Sequence, residues 1–196
     1  PPPLRPPRGP AYERGMTEPV HPASDVQTLK AEVAGHRLEV IFNGEHRLER
    51  LLTLINGAIR SVDMIMYIFR HDAAGTRVLD AMTAAARRGV RVRAVIDSFG
   101  SSDTSDALFN PLRAAGGTVI FFSRRWRSSY LVRNHQKLLL IDDEYAVTGG
   151  FNIADPYLSD RATHCWFDLG IVIRGPVVAD MTRWFEALYD YTVHDD

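Results

Sequence analysis

From Arg37 onward, short apolar runs of strand length alternate with stretches whose apolar residues recur at helical spacing. That alternation confines the chain to layered α/β architectures, because each helix must cover a face of the sheet built by its neighbouring strands. Residues 38–42 read as a strand closed by Asn43 and Gly44, and Leu48, Leu51, Leu52, Ile55 and Ile59 then mark a helix. Residues 62–69 form the next apolar run, followed by helical spacing at Val78, Leu79, Met82, Ala85 and Ala86. Gly89 is placed to end that helix, since glycine is favoured just past a last turn. Residues 90–96 read as a strand, 98–106 as a polar loop, the stretch to Ala115 as a short helix, and 118–122 as a strand after Gly116 and Gly117. Strands separated by helices need crossover connections, so the order implies a mostly parallel or mixed β-sheet with helices on both faces.

The second half has shorter connections. Residues 137–141 and 145–148 read as two strands joined by the turn 142–144, and residues 167–173 as a further strand. Pro176 suits the first turn of a helix over 177–191, whose spacing buries Met181, Trp184, Phe185 and Leu188. The first 22 residues hold eight of the eleven prolines, which fix φ and remove donors, so residues 1–35 read as a poorly ordered tail or linker with a short helix near 26–33. Residues 36–196 read as one domain.

The balance of 23 Lys+Arg against 24 Asp+Glu excludes a protein that coats nucleic acid through its overall field. A lone cysteine, Cys165, excludes an internal disulfide framework and reads as a small buried residue. No apolar run approaches the roughly 18 residues of a membrane-spanning helix. No His, Cys, Asp and Glu spacing reads as a metal site, and no cofactor is implied.

The segment that carries chemistry is Asn134-His135-Gln136-Lys137, leading into the apolar run 138–141 and Asp142. Residues i and i+2 of an extended chain share a face, so His135 and Lys137 project together. A neutral imidazole serves as nucleophile or general acid–base, and an adjacent lysine supplies fixed positive charge for phosphate oxygens. Gly149, Gly150 and Asn152 follow, with glycines that permit close backbone approach and an amide beyond them.

His135, Lys137, Asp142, Gly149, Gly150 and Asn152 together resemble the H-x-K-x4-D and G-[GS]-x-N signature of the phospholipase D superfamily. Tyr67-Ile68-Phe69, Arg88-Gly89-Val90, Asp97 with Gly100-Ser101, Trp166-Phe167-Asp168 and Gly175-Pro176 extend the resemblance to the first half of bacterial cardiolipin synthase-like proteins. The resemblance implies a phospholipase D-like half domain in which His135 forms a phosphohistidine or protonates the leaving alkoxide. It implies that Lys137 and Asn152 bind phosphate oxygens and that Asp168 accepts a hydrogen bond from the histidine. Asp142 belongs to the signature, and a turn role fits it as well as substrate contact. Gln136, where relatives commonly have Arg, is expected to face away.

Arg124, Arg125, Arg127 and Arg133 precede the motif with no acidic residue among them, and Trp126 and Tyr130 are interleaved. They read as a basic rim for phosphate head groups or an anionic bilayer, and a nucleic-acid groove has the same composition. The implied partners are an anionic, phosphatidylglycerol-like phospholipid and an alcohol acceptor, with peripheral contact at the bacterial inner membrane or a cytoplasmic location. Only one motif is present, so a second must come from a C-terminal half or a dimer mate. The alternatives are a homodimeric nuclease on the same scaffold and a silent half that completes a partner's site.

Overall fold

The computed structural model describes residues 28–122, 133–160 and 165–195. The strands are β1 (Thr28–Val33), β2 (His36–Ile41), β3 (Ser61–Met66), β4 (Arg91–Asp97), β5 (Thr118–Phe122), β6 (Lys137–Ile141), β7 (Tyr145–Gly149) and β8 (Gly170–Arg174). They form one eight-stranded sheet in the order β1-β2-β8-β7-β6-β3-β4-β5. The helices are α1 (Gly44–Gly57), α2 (Ala73–Arg87), α3 (Asn110–Ala114), α4 (Asp155–Leu158) and α5 (Val177–Asp195).

The sheet is mixed. Only the β3–β4 and β4–β5 pairs, which are linked through helices, run parallel. The other five pairs are antiparallel. The tight 142–144 turn returns β7 alongside β6, and β2 joins β8 rather than its sequence neighbour β3. Two apolar layers flank the sheet. One joins α1 and α2 to Val62, Met64, Ile96 and Leu139; the other joins α5 to Ile65, Val95, Leu138 and Leu140.

Several local expectations are corrected. Thr28–Val33 is a strand paired with β2, not a helix, although five of its six residues are exposed. α1 ends at Gly57 and leaves Ile59 exposed. Phe167 is exposed ahead of β8, which begins only at Gly170. Trp184 is also exposed. The buried stripe of α5 runs through Val178, Met181, Phe185, Leu188 and Thr192, and Trp184 falls one position off it. Gly89 does take the left-handed conformation, φ 87°, that its place after α2 calls for.

A charged cluster pins α5 to the parallel strands. Asp63 is fully buried on β3 and accepts from Arg93 Nε at 2.7 Å and Arg91 Nη2 at 3.2 Å. Arg93 also makes a two-pronged pair with Glu186 of α5, at 2.8 and 2.6 Å, and lies 4.8 Å from the Phe185 and Tyr189 ring centres. The guanidinium holds the Glu186 carboxyl below its usual range.

Candidate active site

Strand direction gathers the candidate residues at one end of the sheet. β3 and β4 finish there at Met66 and Asp97, and antiparallel β6 starts there, with Lys137 opposite Met66. β7 ends at the same level, β8 begins opposite it with Gly170 against Gly149, and β2 delivers the chain into α1. The carboxyl ends of the parallel strands are where open α/β sheets place their ligands.

His135 is exposed and Lys137 buried. Lys137 Nζ lies 3.2 Å from His135 Nδ1 and donates to the His135 carbonyl at 2.8 Å, leaving Nε2 without a hydrogen bond among the described residues. The Tyr67 ring backs both groups, with its centre 4.2 Å from the imidazole centre and 5.2 Å from Nζ. Burial pushes the Lys137 ammonium below the ordinary lysine range, and the Asp168 carboxylate opposes that shift. Gln136 faces the other way and accepts from Trp184 Nε1 at 3.1 Å.

The backbone at this end is held by polar side chains from the loop after β4. Asp97, buried, accepts from the N–H groups of Phe99 (3.0 Å), Gly100 (2.8 Å) and Asn134 (2.8 Å). Asn134 in turn accepts from Gln136 N–H at 3.0 Å, so the segment carrying His135 is bonded on both sides. Ser101 Oγ donates to the Tyr67 carbonyl and accepts from Phe69 N–H. Gly100 is required here because a Cβ would lie 2.7 Å from two Tyr67 ring carbons. Arg133 is exposed and stacks its guanidinium on Phe99, 3.3 Å from the ring centre. The imidazole, Arg133, Phe122 and Trp184 border an open hollow of about 410 Å³.

Asn152 is buried. Its Oδ1 accepts from Ile68 N–H at 3.1 Å, which leaves the amide nitrogen as the group free to donate. The close approach permitted by the glycines is to the protein itself. A Cβ on Gly149 would collide with the Leu169 carbonyl, and one on Gly150 would lie 2.8 Å from Asp168 Oδ2.

Two expectations about carboxylates change. Asp168 reaches the site end of the sheet, but its Oδ1 accepts from Leu169 N–H at 2.7 Å and makes no hydrogen bond to His135. Asp142 lies at the opposite end of β6, roughly 20 Å from His135 along an extended chain. There it accepts from the N–H groups of Ile59, Arg60 and Ser61, capping the turn into β3. It is structural. Cys165 is exposed, with Sγ 3.0 Å from the Ser159 carbonyl, so it is not a buried residue. Arg124, Arg125 and Arg127, with Trp126, Tyr130 and His164, lie outside the described residues. No helix of the described residues is long and apolar enough to cross a membrane.

This end-of-sheet arrangement of His, Lys and Asn defines a phospholipase D-like domain. Residues 51–189 match the family described as cardiolipin synthase, PLD-like domain, and the chain belongs to that family. The cardiolipin synthase of Clostridium perfringens is 34% identical over 166 residues, covering 81% of this chain and 34% of that protein. The major cardiolipin synthase ClsA of Bacillus subtilis is 35% identical over 166 residues, covering 80% and 34%. The chain thus spans about a third of the length of these relatives. Among solved structures, the phospholipase D family member Nuc from Salmonella typhimurium shares the fold, with TM-score 0.62 and 22% identity over 79% of this chain and 95% of that one.

Proposed function

We propose that this domain supplies one of the two histidines of a metal-independent phosphatidyl-transfer site acting on a phosphatidylglycerol-like lipid. The observation that carries the reading is the pairing of an exposed imidazole with a buried lysine 3.2 Å from its Nδ1. Nε2 is then the nitrogen open to the substrate: it attacks phosphorus when Nδ1 carries the proton, and donates to the leaving-group oxygen when Nδ1 accepts from Lys137. Lys137 and the Asn152 amide bind the non-bridging phosphate oxygens, which gather charge in the transition state.

In the transfer, one histidine attacks phosphorus and forms a P–N bond as the P–O bond to the leaving alcohol breaks. The other histidine gives that alkoxide a proton and then takes one from the incoming alcohol, whose oxygen displaces the first. A single imidazole cannot do both, so the second motif comes from a C-terminal half or from a two-fold copy. The cardiolipin synthase relatives, of which the matched stretch makes up 34%, favour the half. The basic run at 124–133 supports contact with an anionic membrane surface.

The test is phosphatidyl transfer from phosphatidylglycerol vesicles by this chain, alone and with a second motif-bearing half supplied. Turnover is expected only in the paired or dimeric state, to persist in EDTA, and to fall by about 10²–10⁴-fold or more in His135→Ala. Equal activity of the variant overturns the reading. Cleavage of DNA without lipid turnover replaces it with the nuclease.

A further inference from the structure

Arg47 is a basic residue in the first two turns of an amphipathic helix, where solvent exposure is the rule, yet it is only 3% exposed. Among the described residues it makes no hydrogen bond to a carboxylate. Nη1 donates to the carbonyls of Phe42 (2.8 Å) and Asp168 (2.5 Å), and Nη2 to that of Tyr157 (2.6 Å). Its Nε is buried without a hydrogen-bond partner among the described residues, and the guanidinium lies 5.7 Å from the Phe151 ring centre. Burying a cation against carbonyls is costly, and the nearby charges of Asp168 and Asp160 offset only part of that cost at the junction of α1, α4 and the turn into β8.

We infer that Arg47 is a positioning residue for the site, fixing the Asp168 peptide so that its carboxylate stays against Gly150 and beside Lys137. The contacts on either side support this. Gly150 leaves room for the carboxylate, and Gly170 leaves room for the arginine stem, since a Cβ there would lie 3.1 Å from Arg47 Cδ. The Asp168 charge favours the charged form of both buried cations, Lys137 and Arg47. The inference concerns geometry, and it stands or falls independently of the reaction proposed for His135.

The chain has only two lysines, exposed Lys30 and buried Lys137, so ¹³C-lysine NMR reads Lys137 directly with Lys30 as internal reference. The groups facing Lys137 are His135, Tyr67 and Asp168. Asp168→Asn should lower the Lys137 titration midpoint, because the carboxylate charge that opposes burial is removed. Arg47→Lys keeps the charge but loses the fork; its added lysine signal is identified by its absence from the unvaried chain, and the Lys137 midpoint should fall by a smaller amount. In the Asp168→Asn background, Arg47→Lys should add nothing, as expected of residues acting in series. An equal effect of Arg47→Lys in both backgrounds overturns the inference. If Arg47→Lys does not fold, the Arg47 side chain itself decides. The Arg47 Nη hydrogens should be protected from exchange and should shift in Asp168→Asn, and exchange as fast as in exposed arginines with no shift overturns it.

Discussion

Asp97 holds Asn134 by its main chain: the buried carboxylate Oδ2 accepts the Asn134 N–H at 2.8 Å, one residue before His135. The other oxygen accepts from Phe99 and Gly100, whose loop wraps Tyr67. One side chain therefore ties together the two segments that form the walls of the imidazole's seat. Asp97→Ala leaves three backbone donors without their acceptor, and the buried one, Asn134 N–H, costs about 1–3 kcal/mol before relaxation. The expected result is a lowered denaturant midpoint with unchanged m-value. Any lipid turnover of the completed enzyme should fall further than the loss of folded protein explains. Asp97→Asn, which keeps an oxygen acceptor, should recover part of both. A midpoint for Asp97→Ala equal to that of the unvaried chain contradicts this role.

Gly150 and Asp168 compete for one volume, since a methyl group at Gly150 would meet both carboxylate oxygens. Gly150→Ala should therefore destabilise the fold by about 1–3 kcal/mol, the range for forcing atoms into filled space. In an Asp168→Ala background the same substitution should cost much less, because the oxygens are gone. A double-mutant cycle in urea measures the coupling, expected at about 0.5–3 kcal/mol. Additive effects would mean that the loop before β8 moves aside freely.

The site was legible where its signal is local. His135 and Lys137 are two residues apart on an extended segment, and Asn152 follows paired glycines, so chain geometry alone brings them toward one face. Asp142 was ambiguous because the sequence spacing cannot say which end of β6 faces the site. The pairing of Ile141 with Val62 settles it by placing Asp142 against the start of β3. Arg47 was not legible at all, since its helical position looks solvated until α4 and the β8 turn close over it. The sheet was legible as α/β with helices on both faces. Its directions were less so, because β2 finds its partner more than 120 residues later in β8. β1 lacked a signal for the same reason, as an exposed strand defined by its hairpin partner rather than by burial. Trp184 shows the limit of periodicity, which does not separate a buried stripe from the position beside it.

Asp142 gives the fold an acid-sensitive point away from the chemistry. Burial works to raise its pKa, but the N–H groups of Ser61, Ile59 and Arg60 and the Arg60 charge outweigh it, so the net shift is below the ordinary value of 3.8. A depressed carboxyl pKa stabilises the folded state above the unfolded value, and that contribution is lost as pH falls through the folded pKa. Stability should thus be level in this respect above about pH 5 and decline below pH 4. Asp142→Asn should lower stability at pH 7, because one neutral oxygen replaces a carboxylate serving three donors, and should flatten the acid limb. Urea midpoints at pH 3, 4, 5 and 7 test it, with equal acid slopes in the two proteins as the contrary outcome. The same variant separates structure from catalysis. With the folded fraction corrected, lipid turnover should match that of the unvaried enzyme, whereas His135→Ala should keep the midpoint and lose the turnover.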